Sequence, residues 1–422
     1  MVDQRRIDNQ PSREPVWIDA REAATLLGVQ RRSLYAYVAR GLLHSVPGTA
    51  GRARRYDRDE VERLAARHRA RAGHAAVASA ALRWGEPVLD TAVSTIDERG
   101  PVYRGRPAVE LVGDGVGFER AAELLWTGAL PETASWPANR GRESRATWDA
   151  IARLVDAEAP AANRLGLVVA ALGAGDRDRH DLRPEAMLAR ARALIPLLAA
   201  ATTPRLSATA IDAALEAPSV AAVLARALGR RDRAALDALD ATLVLMADHE
   251  LNASTFAARV AASTGADLHA CLGAALATLS GPRHGAMYAR VEALADEAGN
   301  ARNAAATIRA RVARGDELPG FGHPLYTDGD PRTAPMLDLA RRLAGRDARV
   351  RTVIALAEAG ADAAGTPATC DLGLVALAAA LRLPRGAPGA IFAIGRTAGW
   401  VAHVLEQRAA NFLIRPRARR VA

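Results

Sequence analysis

Residues 241–287 read ATLVLMADHELNASTFAARVAASTGADLHACLGAALATLSGPRHGAM. Apolar residues recur three and four apart, which makes this stretch two helices, and Gly281-Pro282 breaks the second. His249 lies between Asp248 and Glu250 at the end of the first apolar run, and His284 follows the Gly-Pro turn directly. A histidine on a glycine-flanked turn projects into open space, within reach of a ligand, although an isolated histidine is more often satisfied by local hydrogen bonds.

The same pattern returns downstream. GFGHPLYTDGDPR, residues 320–332, places His323 in a glycine-rich turn and Arg332 after Asp-Pro. Asp371 opens an apolar helix in PATCDLGLVAL, Arg396 follows Gly395 in IFAIGRTAGWVAHVLEQ, and NFLIRPRARR carries Arg415 and Arg417. Each has a plain alternative: Asp371 as a helix N-cap, His249 as support for a helix end, Arg396 as a surface arginine, Arg415 as part of a basic tail.

Outward from these segments, the chain of 422 residues is long enough for two or three domains. Its abundant alanine and 4% aromatic content favour helix. Apolar periodicity continues through ERAAELLWTGALP, LGLVVAALGAG and MLARARALIPLLAAAT, whereas 133–147 and 202–207 read as loops. Valine, threonine and isoleucine at strand spacing in EPVLDTAVSTIDERGPVYRGRPAVEL predict a short β-ribbon.

All 56 basic residues are arginine, so Schiff-base, pyridoxal phosphate and Walker-type lysine chemistry is excluded. Anion binding is not, because the guanidinium fork grips carboxylates and phosphates. The two cysteines, Cys271 and Cys370, suit a reducing cytoplasm. The N-terminal segment lacks an apolar core, so no signal peptide is expected, and no apolar run reaches a membrane span of about 20 residues. No metal-ligand spacing stands out, so no metal is expected.

Residues 1–74 hold 15 arginines against nine acids, which places +6 of the net +9 in a small basic module. AREAATLLGV reads as a short helix after Asp19, Gly28-Val29 as a turn, RRSLYAYVARGLL as a second helix, and PGTAGRARRYDRDEVERL as an arginine-rich loop entering a third helix. VERLAARHRARAGHAAVASAALRW, from about residue 60, reads as a connecting helix. The arrangement resembles the winged helix-turn-helix of the MerR and excisionase families. The resemblance implies that Gln30, Arg31, Arg32 and Tyr35 face DNA and that Arg52, Arg54 and Arg55 meet phosphates. The alternative is a solvated arginine face on a docking domain.

From residue 84 to 418, the phrases STIDERGPVYRGRP, FERAAELLWTGALP, ADHELNASTFAARV, GPRHGA, GFGHPLY, DPR, IGRTAGWVAHVLEQ and IRPRA, in this order, resemble the citrate synthase family. The resemblance implies a mainly α, two-lobed helical fold behind the small N-terminal winged helix-turn-helix domain. The expected divisions are 1–74 for the module, 75–265 and 375–422 for the larger lobe, and 266–374 for the smaller. It implies catalysis by His284, as donor to a thioester carbonyl, Asp371, as base, and His323, as proton donor to the keto oxygen. His249, Arg332 and Arg396 are implied to bind the oxo-acid, with Arg415 donated across a homodimer interface. Coenzyme A thioester would be a substrate, and no cofactor is implied. Propionyl-CoA in place of acetyl-CoA is an open alternative within the enzyme class. A DNA-binding regulator with an enzyme-like sensor body is another. After His323 the run Pro324-Leu325-Tyr326-Thr327-Asp328 lacks the basic residue common in the family, and Thr369-Cys370 stand where Asn-Val is usual.

Overall fold

The computed structural model describes residues 17–27, 29, 33–34, 37–38, 43–48, 54–58, 60–61, 64, 89–136, 145–156 and 158–417. The chain divides into two compact units, Met1–Asp90 and Thr91–Ala422. The expected boundary at 74/75 and most of the connecting helix lie outside the described residues.

In the first unit, strands β1 (Trp17–Asp19), β2 (Ser45–Pro47) and β3 (Arg54–Asp57) form an antiparallel sheet in the order β1-β3-β2. Asp19 Oδ1 accepts from the amides of Arg21 and Glu22 at 2.7 and 2.8 Å, so it starts helix Ala20–Leu27 as a cap should. Ala23, Ala24 and Leu27 turn inward to meet Ile18, Leu34, Leu43, Tyr56, Val61 and Leu64 in a small core. The arginine-rich segment is not all loop. Tyr56 is buried while Arg54 and Arg55 stay exposed, and pairing on both sides makes 54–57 the central strand.

The second unit opens with β4 (Ser94–Asp97), β5 (Gly100–Tyr103) and β6 (Arg106–Pro107), a three-stranded antiparallel sheet where the ribbon is expected. Helices then dominate to residue 410. Residues 202–207 are irregular as expected, whereas a helix already begins at Arg145 and 137–144 lie outside the described residues. Among the described residues, no helix is long and apolar enough to cross a membrane.

Two cores form. The larger gathers side chains from helices Phe118–Thr127, Ala161–Gly175, Pro184–Ala200, Val220–Ala227, Arg233–Met246, Leu268–Leu279 and Ala387–Ala410. The smaller draws on Met287–Ala298, Ala304–Arg314, Ala348–Ala364 and Cys370–Ala380. Helix Leu268–Leu279, within the segment expected in the smaller lobe, sends its apolar side chains into the larger core. Helix Ala387–Ala410 is buried almost all round from Ala387 to Val404, and its alanines and glycines admit close neighbours. The polar residues of that stretch, Arg396, Thr397 and His403, are therefore committed to the interior.

Candidate active site

Five separated segments converge. Helix Arg233–Met246 ends just before Asp248-His249. The turn after Leu268–Leu279 carries His284. The loop 320–332 carries His323 and ends at Arg332, directly before helix Thr333–Ala344. Helix Cys370–Ala380 carries Asp371 in its first turn, and the interior of Ala387–Ala410 carries Arg396.

The loop is knitted to the residues before Asp371. The Thr369 amide donates to the Gly320 carbonyl at 2.8 Å, and the Gly322 amide donates to that of Pro367 at 3.1 Å. Gly320 and Gly322 hold φ of +85° and +70°, a conformation that L side chains rarely adopt, and this turn aims His323. The Cys370 amide donates to Asp330 Oδ2 at 3.3 Å. His323 and Asp371, 48 positions apart, are thus mounted on one paired scaffold.

Around it the rings meet. His249 Nε2 and the Tyr326 hydroxyl share a hydrogen bond at 2.8 Å. The centroids of His249 and His323 are 5.4 Å apart, and the Arg332 guanidinium stands 5.9 Å from the Tyr326 ring. His284 lies edge-on to Phe392 at 6.2 Å, and the Arg396 guanidinium stands 5.0 Å from that ring. His284 Nε2 is 2.8 Å from Ser254 Oγ, which also accepts from Trp400 Nε1 at 3.2 Å.

The electrostatics follow from burial. Burial, then the Arg396 charge, pushes His284 down to about 4. Burial and then Arg332 lower His323; burial and then Arg332 and Arg396 lower His249 well below the usual imidazole range. All of these imidazoles are neutral at pH 7. Burial pushes the Asp371 carboxyl up to about 6, opposed by a hydrogen bond from Thr369 and by the Arg332 charge.

The two arginines are used differently. Arg332 grips Asp330 through Nε at 2.9 Å and Nη2 at 2.7 Å, so much of its fork is already taken. Arg396 is 1% exposed and donates Nε to the Met246 carbonyl at 2.9 Å. Its Nη2 has no hydrogen-bond partner, and no carboxylate lies at ion-pair distance among the described residues. Asp371 Oδ1 is likewise buried without a partner, while Oδ2 accepts from Thr369 Oγ1 at 3.2 Å. Thr369, not Asp371, occupies the helix cap position.

His249, His284, His323, Arg332, Arg396 and Asp371 are therefore brought together. Arg415 is not: it is exposed on the tail after helix Ala387–Ala410. Gln30, Arg31, Arg32, Tyr35 and Arg52 lie outside the described residues; Arg54 and Arg55 are exposed on β3. Sequence reasoning missed Tyr326, Ser254, Phe392 and Asp330. Only Asp330, two positions before an arginine, carried a readable signal.

A family model for the citrate synthase C-terminal domain matches residues 81–417, and one for a helix-turn-helix domain matches residues 17–69. The 2-methylcitrate synthase of Shewanella oneidensis is 30% identical over 351 residues, 79% of this chain and 92% of that protein. The putative citrate synthase 2 of Mycobacterium bovis is 39% identical over 195 residues, so the match spans about half of its length, 52%, and 45% of this chain. The crystal structure of citrate synthase from Thermotoga maritima has a TM-score of 0.67 at 25% identity, covering 80% of this chain and 94% of that one. The structure of citrate synthase from Thermoplasma acidophilum, in a ternary complex with carboxymethyl coenzyme A and oxaloacetate, has a TM-score of 0.69 at 24% identity, covers 82% of this chain and 96% of that one, and supports the fold.

Proposed function

This chain belongs to the citrate synthase family, and from that premise we propose that it condenses acetyl-CoA with oxaloacetate and water to give citrate and coenzyme A. The observation that carries the reading is Arg396: a buried guanidinium with an unpartnered Nη2, among neutral imidazoles. Asp248 is the nearby anion but does not touch it, and a buried guanidinium with an unpaired N–H is costly, so an anionic ligand that meets Nη2 relieves that cost. A dicarboxylic oxo-acid suits Arg396 and the free edge of Arg332, with His249 beside them.

On this reading Asp371 removes a proton from the carbon beside the thioester. The developing enolate oxygen takes a hydrogen bond from neutral His284. His284 Nε2 and Asn252 Oδ1 both lie 2.8 Å from Ser254 Oγ and compete for its one proton; in the tautomer in which Nε2 accepts, Nδ1–H is that donor, a term often worth about 3–4 kcal/mol. The carbon nucleophile attacks the keto carbon of oxaloacetate, and His323 supplies a proton to its oxygen. The charges of the bound oxo-acid raise the proton affinity of His323 for that step. Water then cleaves the thioester and releases the thiol. No separate cofactor takes part. The bodies around the larger and the smaller core close over the reactants and exclude water before condensation.

Propionyl-CoA, giving 2-methylcitrate, is a second reading. It is favoured by the relatives so named, which match 79% of this chain. We also propose a homodimer, to which the exposed Arg415 with Phe412 and Leu413 contributes, a cytoplasmic location, and DNA contact by the basic module.

The test is thiol release from acetyl-CoA and propionyl-CoA with oxaloacetate. Turnover lost in Asp371→Ala supports the enzyme, and the faster donor decides between the readings. Sequence-specific DNA binding with no turnover overturns the enzyme in favour of a regulator.

A further inference from the structure

Asp248 precedes His249 and is fully buried. Its Oδ2 accepts from Ser94 Oγ and, at 3.1 Å, from the Glu250 amide, and lies 3.2 Å from His403 Nε2. Ser94 comes from β4 and His403 from helix Ala387–Ala410. Glu250 holds φ at +51°, a left-handed value that a glutamate does not favour. Its amide also meets Ser94 Oγ at 3.2 Å, so the carboxylate and the serine tie off the turn from which His249 projects.

The backbone beneath this turn is held as closely. The Asp248 amide donates to the Tyr103 hydroxyl at 3.1 Å, and the Gly399 amide donates to the Ala247 carbonyl at 2.9 Å. A Cβ at Gly399 would fall 2.1 Å from Asp248 Oδ1, so the helix seats against the turn only because a glycine stands there. Arg396 grips Met246 from the same helix. Behind His403, Glu406 lies 3.8 Å from Nδ1 and pairs with Arg259 at 2.7 Å. Burial opposes the charge on Asp248, but His403 and then Arg396 outweigh it and hold the carboxyl below its usual range.

We propose that Asp248, seated on Ser94 and His403, is a positioning residue for oxo-acid binding: it fixes the turn that aims His249 and locks that turn to the helix bearing Arg396. The proposal rests on the reading of His249 and Arg396 as the oxo-acid receptors. A network that only stabilised the fold would lower the melting temperature and leave the two substrates equally affected. A positioning network acts on the oxo-acid alone, because displacing a binding group by a fraction of an ångström weakens the ligand it contacts.

The experiment compares His403→Phe, which fills the ring volume without a nitrogen, with His403→Gln, which restores a donor. Ser94→Ala serves as a milder variant that keeps the core volume. Michaelis constants for oxaloacetate and the acyl-CoA are measured together with thermal melting and calorimetric binding of oxaloacetate. His403→Phe is expected to raise the oxaloacetate KM and Kd about tenfold and to leave the acyl-CoA KM within about twofold. Ser94→Ala moves the same constants in the same direction, and His403→Gln recovers most of the loss. Unchanged oxaloacetate affinity in both His403→Phe and Ser94→Ala, or KM values that rise together, overturns the proposal. If the unaltered chain binds oxaloacetate without turnover, the condensation reading fails and the Kd series alone decides the positioning role. If the unaltered chain binds no oxaloacetate, the positioning role falls with it.

Discussion

The Tyr326 hydroxyl lies 2.8 Å from His249 Nε2, and the Tyr326 ring stands 4.9 Å from that of His323, so one buried tyrosine joins two imidazoles of the site. Tyr326→Phe keeps the ring and deletes the hydroxyl, which leaves His249 Nε2 without a partner. Losing such a buried bond costs about 1–3 kcal/mol. The expected outcome is a roughly tenfold or larger rise in oxaloacetate KM, with the acyl-CoA KM little changed. Steady-state kinetics with each substrate varied separately checks it.

Asp371→Asn removes the proposed base and should lower kcat about a hundredfold or more. Its effect on stability has the opposite sign. The folded-state pKa is raised from 3.8 to about 6, so between these values the native state binds more protons than the unfolded chain. The ionised carboxyl therefore destabilises the fold as pH rises through that window, and the penalty is fully present above about 6. Asp371→Asn should melt higher than the unaltered protein above pH 6, and the two curves should converge below about pH 4. Activity of the unaltered protein should climb as pH rises to about 6 and then level, because His284 is already neutral there. Melting curves and rate profiles from pH 4 to 8 decide both points.

Arg332→Ala leaves the buried Asp330 carboxylate without its bidentate partner, so it should destabilise the protein by about 3–5 kcal/mol as well as weaken oxo-acid binding. Adding Asp330→Asn removes the uncompensated charge. The double variant should regain much of the melting temperature yet still bind oxaloacetate poorly. Recovery of affinity in the double variant would remove Arg332 from the receptor.

Arg54 and Arg55 are exposed on β3 and held by hydrogen bonds to Ser45 Oγ at 2.7 Å and the Trp17 carbonyl at 2.8 Å. If the module binds DNA, replacing each with alanine should weaken binding to all sequences alike and reduce the salt slope by about one. Fluorescence anisotropy across a salt series measures this. No binding at low salt would leave these arginines as a solvated face.

Much of the site was legible because its motifs are local. A glycine turn bearing His323 and an acid opening an apolar helix at Asp371 follow from spacing alone, and both stand in the structure as expected. The short β-ribbon and the helical body were legible for the same reason, though not the ribbon's three strands. What spacing could not reveal was pairing across distance. Asp248 and His403 are 155 positions apart, and no local pattern joins them. Tyr326 was noticed only as part of a run without a basic residue, since nothing local says that its hydroxyl reaches back 77 positions to His249. Strand Arg54–Asp57 was hidden by charge: one buried tyrosine among arginines and aspartates carries too short an alternation to outweigh a loop composition.

Helix Cys370–Ala380 feeds both cores: Cys370, Leu374 and Leu377 enter the larger, while Leu372, Val375, Ala376 and Ala380 enter the smaller. It works as an axle shared by two wheels. The same rod is packed into both bodies, and Asp371 stands in its first turn. A substitution at Val375 or Leu377 would therefore loosen the seat of Asp371 along with the core it leaves.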